Sequence, residues 1–169
     1  MWWFSLGEVV GGLVTGALLA LLGAVVVGVV PAVPAVTIWA VLALVLVAHE
    51  IGLVRVPLPQ NARQVPPEVV DDGGQVGAVR FGFEMGTGLR TYMTSALPHV
   101  VALAVLLVGG FPAGVLAGLG FGVGRALMPL GRMAMPEGTW DAALDRRDRV
   151  VRAVLWVATL SLLAALARP

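Results

Sequence analysis

Long apolar runs, separated by short breaks rich in proline, glycine or charge, set the pattern of this chain. The first run covers residues 7–30 and ends at Pro31 and Pro34; the second covers 35–54. Each matches the roughly 20 residues a helix needs to cross a bilayer core of about 30 Å. Pro31-Ala32-Val33-Pro34 reads as a tight turn, so the two form a helical hairpin. Over 55–75 the apolar period is lost among Pro57, Pro59, Pro66, Pro67 and Asp71-Asp72-Gly73-Gly74, which predicts a polar loop outside the membrane.

From Val76 to about Val108 the chain is apolar again, interrupted by Arg80, Glu84, Arg90 and Pro98. One straight helix of that length would measure about 50 Å, which overshoots the hydrocarbon. The expectation is an interfacial or re-entrant part over 76–90, then a span over 91–108 kinked at Pro98. Gly109-Gly110-Phe111-Pro112 turns into a span over 113–130, a second polar loop covers 131–149, and the last span covers 150–166. The pattern predicts an all-α, polytopic transmembrane helix bundle of about five spans, forming a single domain over 1–169.

The arginines orient this bundle. Arg55, Arg63 and Arg80 fall between spans two and three, and Arg132, Arg146, Arg147, Arg149 and Arg152 between or beside spans four and five. The two remaining turns hold none. By the positive-inside rule the loops 55–75 and 131–149 are cytoplasmic, with the N-terminus inside and the C-terminus outside.

Composition agrees with lipid surroundings. Of 169 residues, 59% are hydrophobic and 12% charged, against roughly 25% charged in a soluble domain. The mean hydropathy is +0.93. A soluble domain of about 150 residues buries only about 70% of the surface its unfolded chain exposes, so a lipid bilayer is the expected neighbour of the rest. A net charge of +1 leaves no footprint for nucleic acid. All basic residues are Arg, and with the abundance of Ala, Val, Leu and Gly this points to a GC-rich bacterial genome and hence a bacterial inner membrane. The N-terminus Met1-Trp2-Trp3-Phe4-Ser5 lacks the basic region of a cleavable signal peptide, so the first run is expected to remain as a helix.

Several chemistries are excluded on residue type. There is no Cys, hence no disulfide, thiolate metal site or thiol redox. His49 and His99 lie too far apart to suggest a metal motif, and no glycine loop precedes a Lys-Ser/Thr pair. With no nucleophile and base to name, the expectation is a protein that is not an enzyme and carries no cofactor.

Polar residues inside the third apolar segment remain. Glu84, Gly88, Thr91, Ser95 and His99 follow one another at four, three, four and four residues, which would place them on one helical face. Arg80 stands one turn before Glu84. A charge at the bilayer centre costs from about 2.5 to over 10 kcal/mol, so such a stripe must face protein or water. It reads either as a substrate or ion path or as hydrogen-bonded packing within the bundle.

Gly114, Gly118 and Gly122 recur every four residues in the fourth span, as small residues do where helix backbones approach closely. Gly7, Gly11, Gly12 and Gly16 read the same way. The other reading of the fourth span is a broken helix with Arg125 at its unwound end. Glu8 is expected at the interface, and His49-Glu50 as either a proton-handling pair or ordinary interfacial residues. The mixed charges from Asp141 to Arg152 fit a solvated helix or a docking surface built on Arg146 and Arg147.

The stretches Phe81-Gly82-Phe83-Glu84-Met85-Gly86-Thr87-Gly88, Ser95-Ala96-Leu97-Pro98 and Gly118-Leu119-Gly120-Phe121-Gly122-Val123-Gly124 resemble the cytochrome-c-biogenesis (CcdA/DsbD-type) membrane family. That resemblance implies a proline-broken helix paired with a glycine-rich one. The family's cysteines beside the prolines have no counterpart, since His99 follows Pro98, so it implies an architecture put to a use other than thiol redox. Two functions follow: a small permease or transport component, acting as a homo-oligomer, or a non-transporting anchor or assembly subunit of a larger membrane complex.

Overall fold

The computed structural model describes residues 2–59, 74–89, 91, 93–136 and 138–166. Among these, every regular element is a helix: α1 Trp2–Val29, α2 Ala32–Glu50, α3 Gly74–Gly86, α4 Leu97–Leu107, α5 Phe111–Ala134 and α6 Thr139–Leu166. The segment 60–73 with Arg63, and also Arg90, Tyr92 and Glu137, lie outside the described residues.

Three helices, α1, α2 and α5, are long and apolar enough to cross a membrane. The expected count of five is not reached among the described residues. The third expected span, 91–108, is helical only over the 11 residues of α4. The fifth, 150–166, is the second half of α6, whose first half carries the charges. Nor is 131–149 an open loop: α5 runs on past Pro129 to Ala134, and α6 begins at Thr139. Charges at helical spacing explain this, as Arg152 donates two hydrogen bonds of 2.9 Å to Asp148 one turn earlier.

The chain falls into two compact units, Met1–Ala126 and Leu127–Pro169. In the first, α1 packs against α3, α4 and α5, and α2 packs against α4. Many of the inner positions are small, beside Trp39, Leu46, Val100 and Val105. Ala20, Ala35, Ala43, Ala96, Ala104 and Ala126 are buried, whereas Leu18, Leu22, Val25 and Val29 of α1 and Leu44 of α2 are exposed. Small residues inside and large apolar ones outside is the arrangement of helices packed in lipid, where close backbone approach replaces the hydrophobic effect. The Trp39 indole N–H of α2 donates to the Val100 carbonyl of α4 at 3.3 Å, and Val100 is fully buried.

In the second unit, the end of α5 meets the start of α6. Arg132 pairs with Asp141 at 2.9 Å. The Thr139 hydroxyl donates to the Pro136 carbonyl at 2.6 Å. Gly131 lies under the Trp140 ring, which occupies the space a Cβ would need.

Candidate functional site at a broken helix

The third apolar segment is not one helix. α3 stops at Gly86, α4 starts at Leu97, and the residues described between them are non-helical. The polar row predicted on a single helical face is therefore split: Glu84 lies in α3, Gly88, Thr91 and Ser95 in the break, and His99 in α4. Three local causes act together. Gly88 adopts φ +72°, a left-handed conformation that ends helices. Thr87 turns its hydroxyl back to the Glu84 carbonyl at 2.8 Å. Pro98 enters at the first turn of α4, where its missing N–H leaves no bond unmade. Pro98 thus opens a helix instead of kinking one.

Backbone groups freed by a break must find partners. The Thr15 hydroxyl of α1 donates to the Thr87 carbonyl at 3.1 Å. Glu50, the last residue of α2, places Oε2 at 2.8 Å from the Ala96 N–H and at 3.2 Å from the Ser95 hydroxyl, which donates to it. The same Ser95 oxygen accepts from the Leu97 N–H at 3.2 Å. A carboxylate and a hydroxyl thereby cap the start of α4, where the helix dipole favours negative charge.

Opposite the break stands an acid–base pair from two other helices. Glu8 of α1 is 2% exposed, buried among the helices of the first unit. Its burial follows from glycine: Gly86 at the end of α3 and Gly122 of α5 both abut the Glu8 backbone, so the helices close over this turn of α1. Glu8 Oε1 lies 3.9 Å from Arg125 Nε. Arg125 also donates from Nη1 to the Thr91 hydroxyl at 3.4 Å, and its guanidinium carbon sits 5.8 Å from the Phe121 ring centre. Thr91 is 3% exposed. One guanidinium therefore ties α1, α5 and the break together. Among the described residues, Glu8 Oε2 and Arg125 Nε are buried without a hydrogen-bond partner, as is Ser5 Oγ of α1.

The remaining candidates take other places. Arg80 and Glu84 lie on α3, exposed and half-buried respectively. His99 Nε2 lies 3.4 Å from the Pro59 carbonyl. His49 Nδ1 accepts from the Val56 N–H at 3.1 Å, which shapes the turn after α2, while Glu50 serves the break. Gly114, Gly118 and Gly122 face Gly16, Gly12 and Glu8 of α1. Arg146 and Arg147 are exposed on α6 in the second unit. The pairing of Glu8 with Arg125 is what sequence reasoning missed. Its signal was there: each charge shares a helix face with a glycine row.

Fold and site together define an all-helical chain with three helices of membrane-crossing length, a helix broken in mid-course, and a buried acid–base pair at the break. Such a chain is similar to the methylamine utilization protein MauF of Methylophilus methylotrophus, with 30% identity over 124 residues, 73% of this chain and 44% of that protein. The MauF protein of Methylobacillus flagellatus is 28% identical over 124 residues, again 73% and 44%, and that of Methylorubrum extorquens 31% over 107 residues, 60% and 36%. The chain spans less than half the length of these curated relatives. No family model and no solved structure matches it. These findings overturn the resemblance to the cytochrome-c-biogenesis type, because the sequence similarity runs to MauF proteins instead. Glycine-rich runs are common to many packed membrane helices, which is why they misdirect.

Proposed function

We propose that this chain is a membrane-embedded accessory component of small-amine utilization, serving the assembly of a larger system and not the passage of a substrate. Its similarity to MauF proteins over 73% of its length supports the amine context. The observation that carries the choice of assembly over transport is the closure of the break. Glu50 is engaged with Ser95 and Ala96, Thr15 with Thr87, and Arg125 with Thr91. Polar groups that hold a fold shut do not form a row lining a path, and the single helical face on which the permease reading rested is absent. The chain would sit in a bacterial inner membrane with its N-terminus cytoplasmic. It would act without catalysis of its own, in a homo-oligomer or larger complex, with Arg146 and Arg147 available to a partner.

Deleting the gene from its source bacterium tests this. The expected result is loss of growth on methylamine while uptake of labelled methylamine by whole cells is unchanged. Uptake that falls in step with growth would restore the permease and refute the assembly role.

A further inference from the structure

Two prolines limit what the segment after α2 can donate, since Pro57 and Pro59 have no N–H. Up to residue 54 the chain is still tied to α2. The Ile51 N–H bonds to the Val47 carbonyl at 3.1 Å, and those of Leu53 and Val54 to the Ala48 carbonyl at 2.9 and 3.3 Å. Gly52, at φ +79°, turns the chain out of the helix. Beyond it, residues 55–59 make two hydrogen bonds among the described residues, and both end on a histidine ring. The Val56 N–H donates to His49 Nδ1 at 3.1 Å. The Pro59 carbonyl lies 3.4 Å from His99 Nε2 of α4. The segment is a strap from the end of α2 to the start of α4.

The two rings hold this strap differently. A backbone N–H can only donate, so His49 Nδ1 carries a lone pair and the neutral ring has its proton on Nε2. A protonated ring has N–H groups at both nitrogens and cannot accept, which would set two donors against each other. Pro59 offers only an oxygen, so His99 donates from Nε2, as a neutral or a protonated ring can. Imidazole is the side chain that ordinarily changes charge between about pH 5 and 8. We propose that residues 55–59 are a proton-operated latch. Neutral His49 holds Val56, protonation of His49 releases it, and His99 keeps the far end tethered at Pro59. The titratable and charged groups on the elements around His49 are Glu50 beside it on α2, Arg55 in the strap and His99 on α4. Glu50 is bonded to Ser95 and Ala96, and Arg55 is exposed. The latch stands one residue from the carboxylate that caps α4, which puts proton sensing beside the broken helix. It is independent of the function proposed above.

Amide hydrogen exchange at single-residue resolution, on the full chain in phospholipid nanodiscs, tests it at about pH 7.5 and about pH 5.5, either side of ordinary histidine titration. After correction for the pH dependence of chemical exchange, protection of the Val56 amide should fall roughly five- to tenfold on acidification, the worth of one hydrogen bond. Leu53 and Val54, bonded to a backbone carbonyl, should keep theirs. His49→Gln, whose amide oxygen accepts at either pH, should keep Val56 protected at both. His99→Gln should leave the response in place. Equal protection of Val56 at the two pH values in the unaltered chain would overturn the latch. So would a full response in His49→Gln, which would assign it to another group. Loss at Leu53 and Val54 together with Val56 would overturn it too, because the end of α2 would then be fraying as a whole.

Discussion

A single guanidinium decides the most at the scale of residues. Arg125 is the partner of the buried Glu8 and also the donor to Thr91 in the break. Removing one member of a buried pair leaves the other charge uncompensated, which typically costs about 3–5 kcal/mol. Arg125→Ala should therefore lower the midpoint of thermal unfolding in detergent sharply. The double variant Glu8→Ala with Arg125→Ala should lose less than the sum of the single losses, and strict additivity would mean that the 3.9 Å approach carries no coupling. Of these residues the sequence displayed Thr91 and Arg125 as candidates, and it placed Glu8 at an interface. Nothing local to Glu8 reports its burial between helices. That depends on how closely α3 and α5 approach, which is a property of residues 86 and 122.

Among the elements, glycine position separates packing from slack. Gly118 faces the Gly12 carbonyl and the Gly16 backbone, and a side chain there has no room. Gly120, two residues on, meets nothing within 4 Å. Gly118→Val should force α1 and α5 apart and cost about 1–3 kcal/mol or more, as overpacking does. Gly120→Ala should be neutral, or stabilising by up to about 1 kcal/mol through helix propensity. Comparing the two in denaturant titrations from mild detergent checks this, and equal losses would refute the observed helix rotation. The spacing of Gly114, Gly118 and Gly122 pointed to one packed face in the sequence. The same periodic reasoning misled at Glu84 to His99, because a period of three and four describes a helix only if the chain stays helical. Gly88 and Pro98 end that condition, and Glu50 and Thr15 from other helices make the break tolerable.

For the whole molecule, the distribution of large apolar side chains is the deciding fact. Leu18, Leu22, Val25 and Val29 stand out from α1, and Val41 and Leu44 from α2, while alanine and glycine take many of the inner positions. Water would not tolerate that surface, since monomeric soluble proteins rarely expose apolar patches beyond a few hundred Å². Expressed whole, the chain should fractionate with membranes and resist extraction by alkaline carbonate, yet dissolve in detergent. Recovery in the carbonate supernatant would contradict the lipid-facing arrangement.

The sequence alone pointed to helices, and its apolar runs are compatible with lipid surroundings. Apolar runs of bilayer length, few charges and no cysteine leave little besides helices suited to lipid, because a backbone without water must satisfy its own hydrogen bonds. Tertiary structure alone decided where the third segment breaks, which helix each glycine row packs against, and that Glu8 meets Arg125. Each of those depends on contacts between residues far apart in the chain, and hydropathy, read locally, carries no record of what a neighbouring helix supplies.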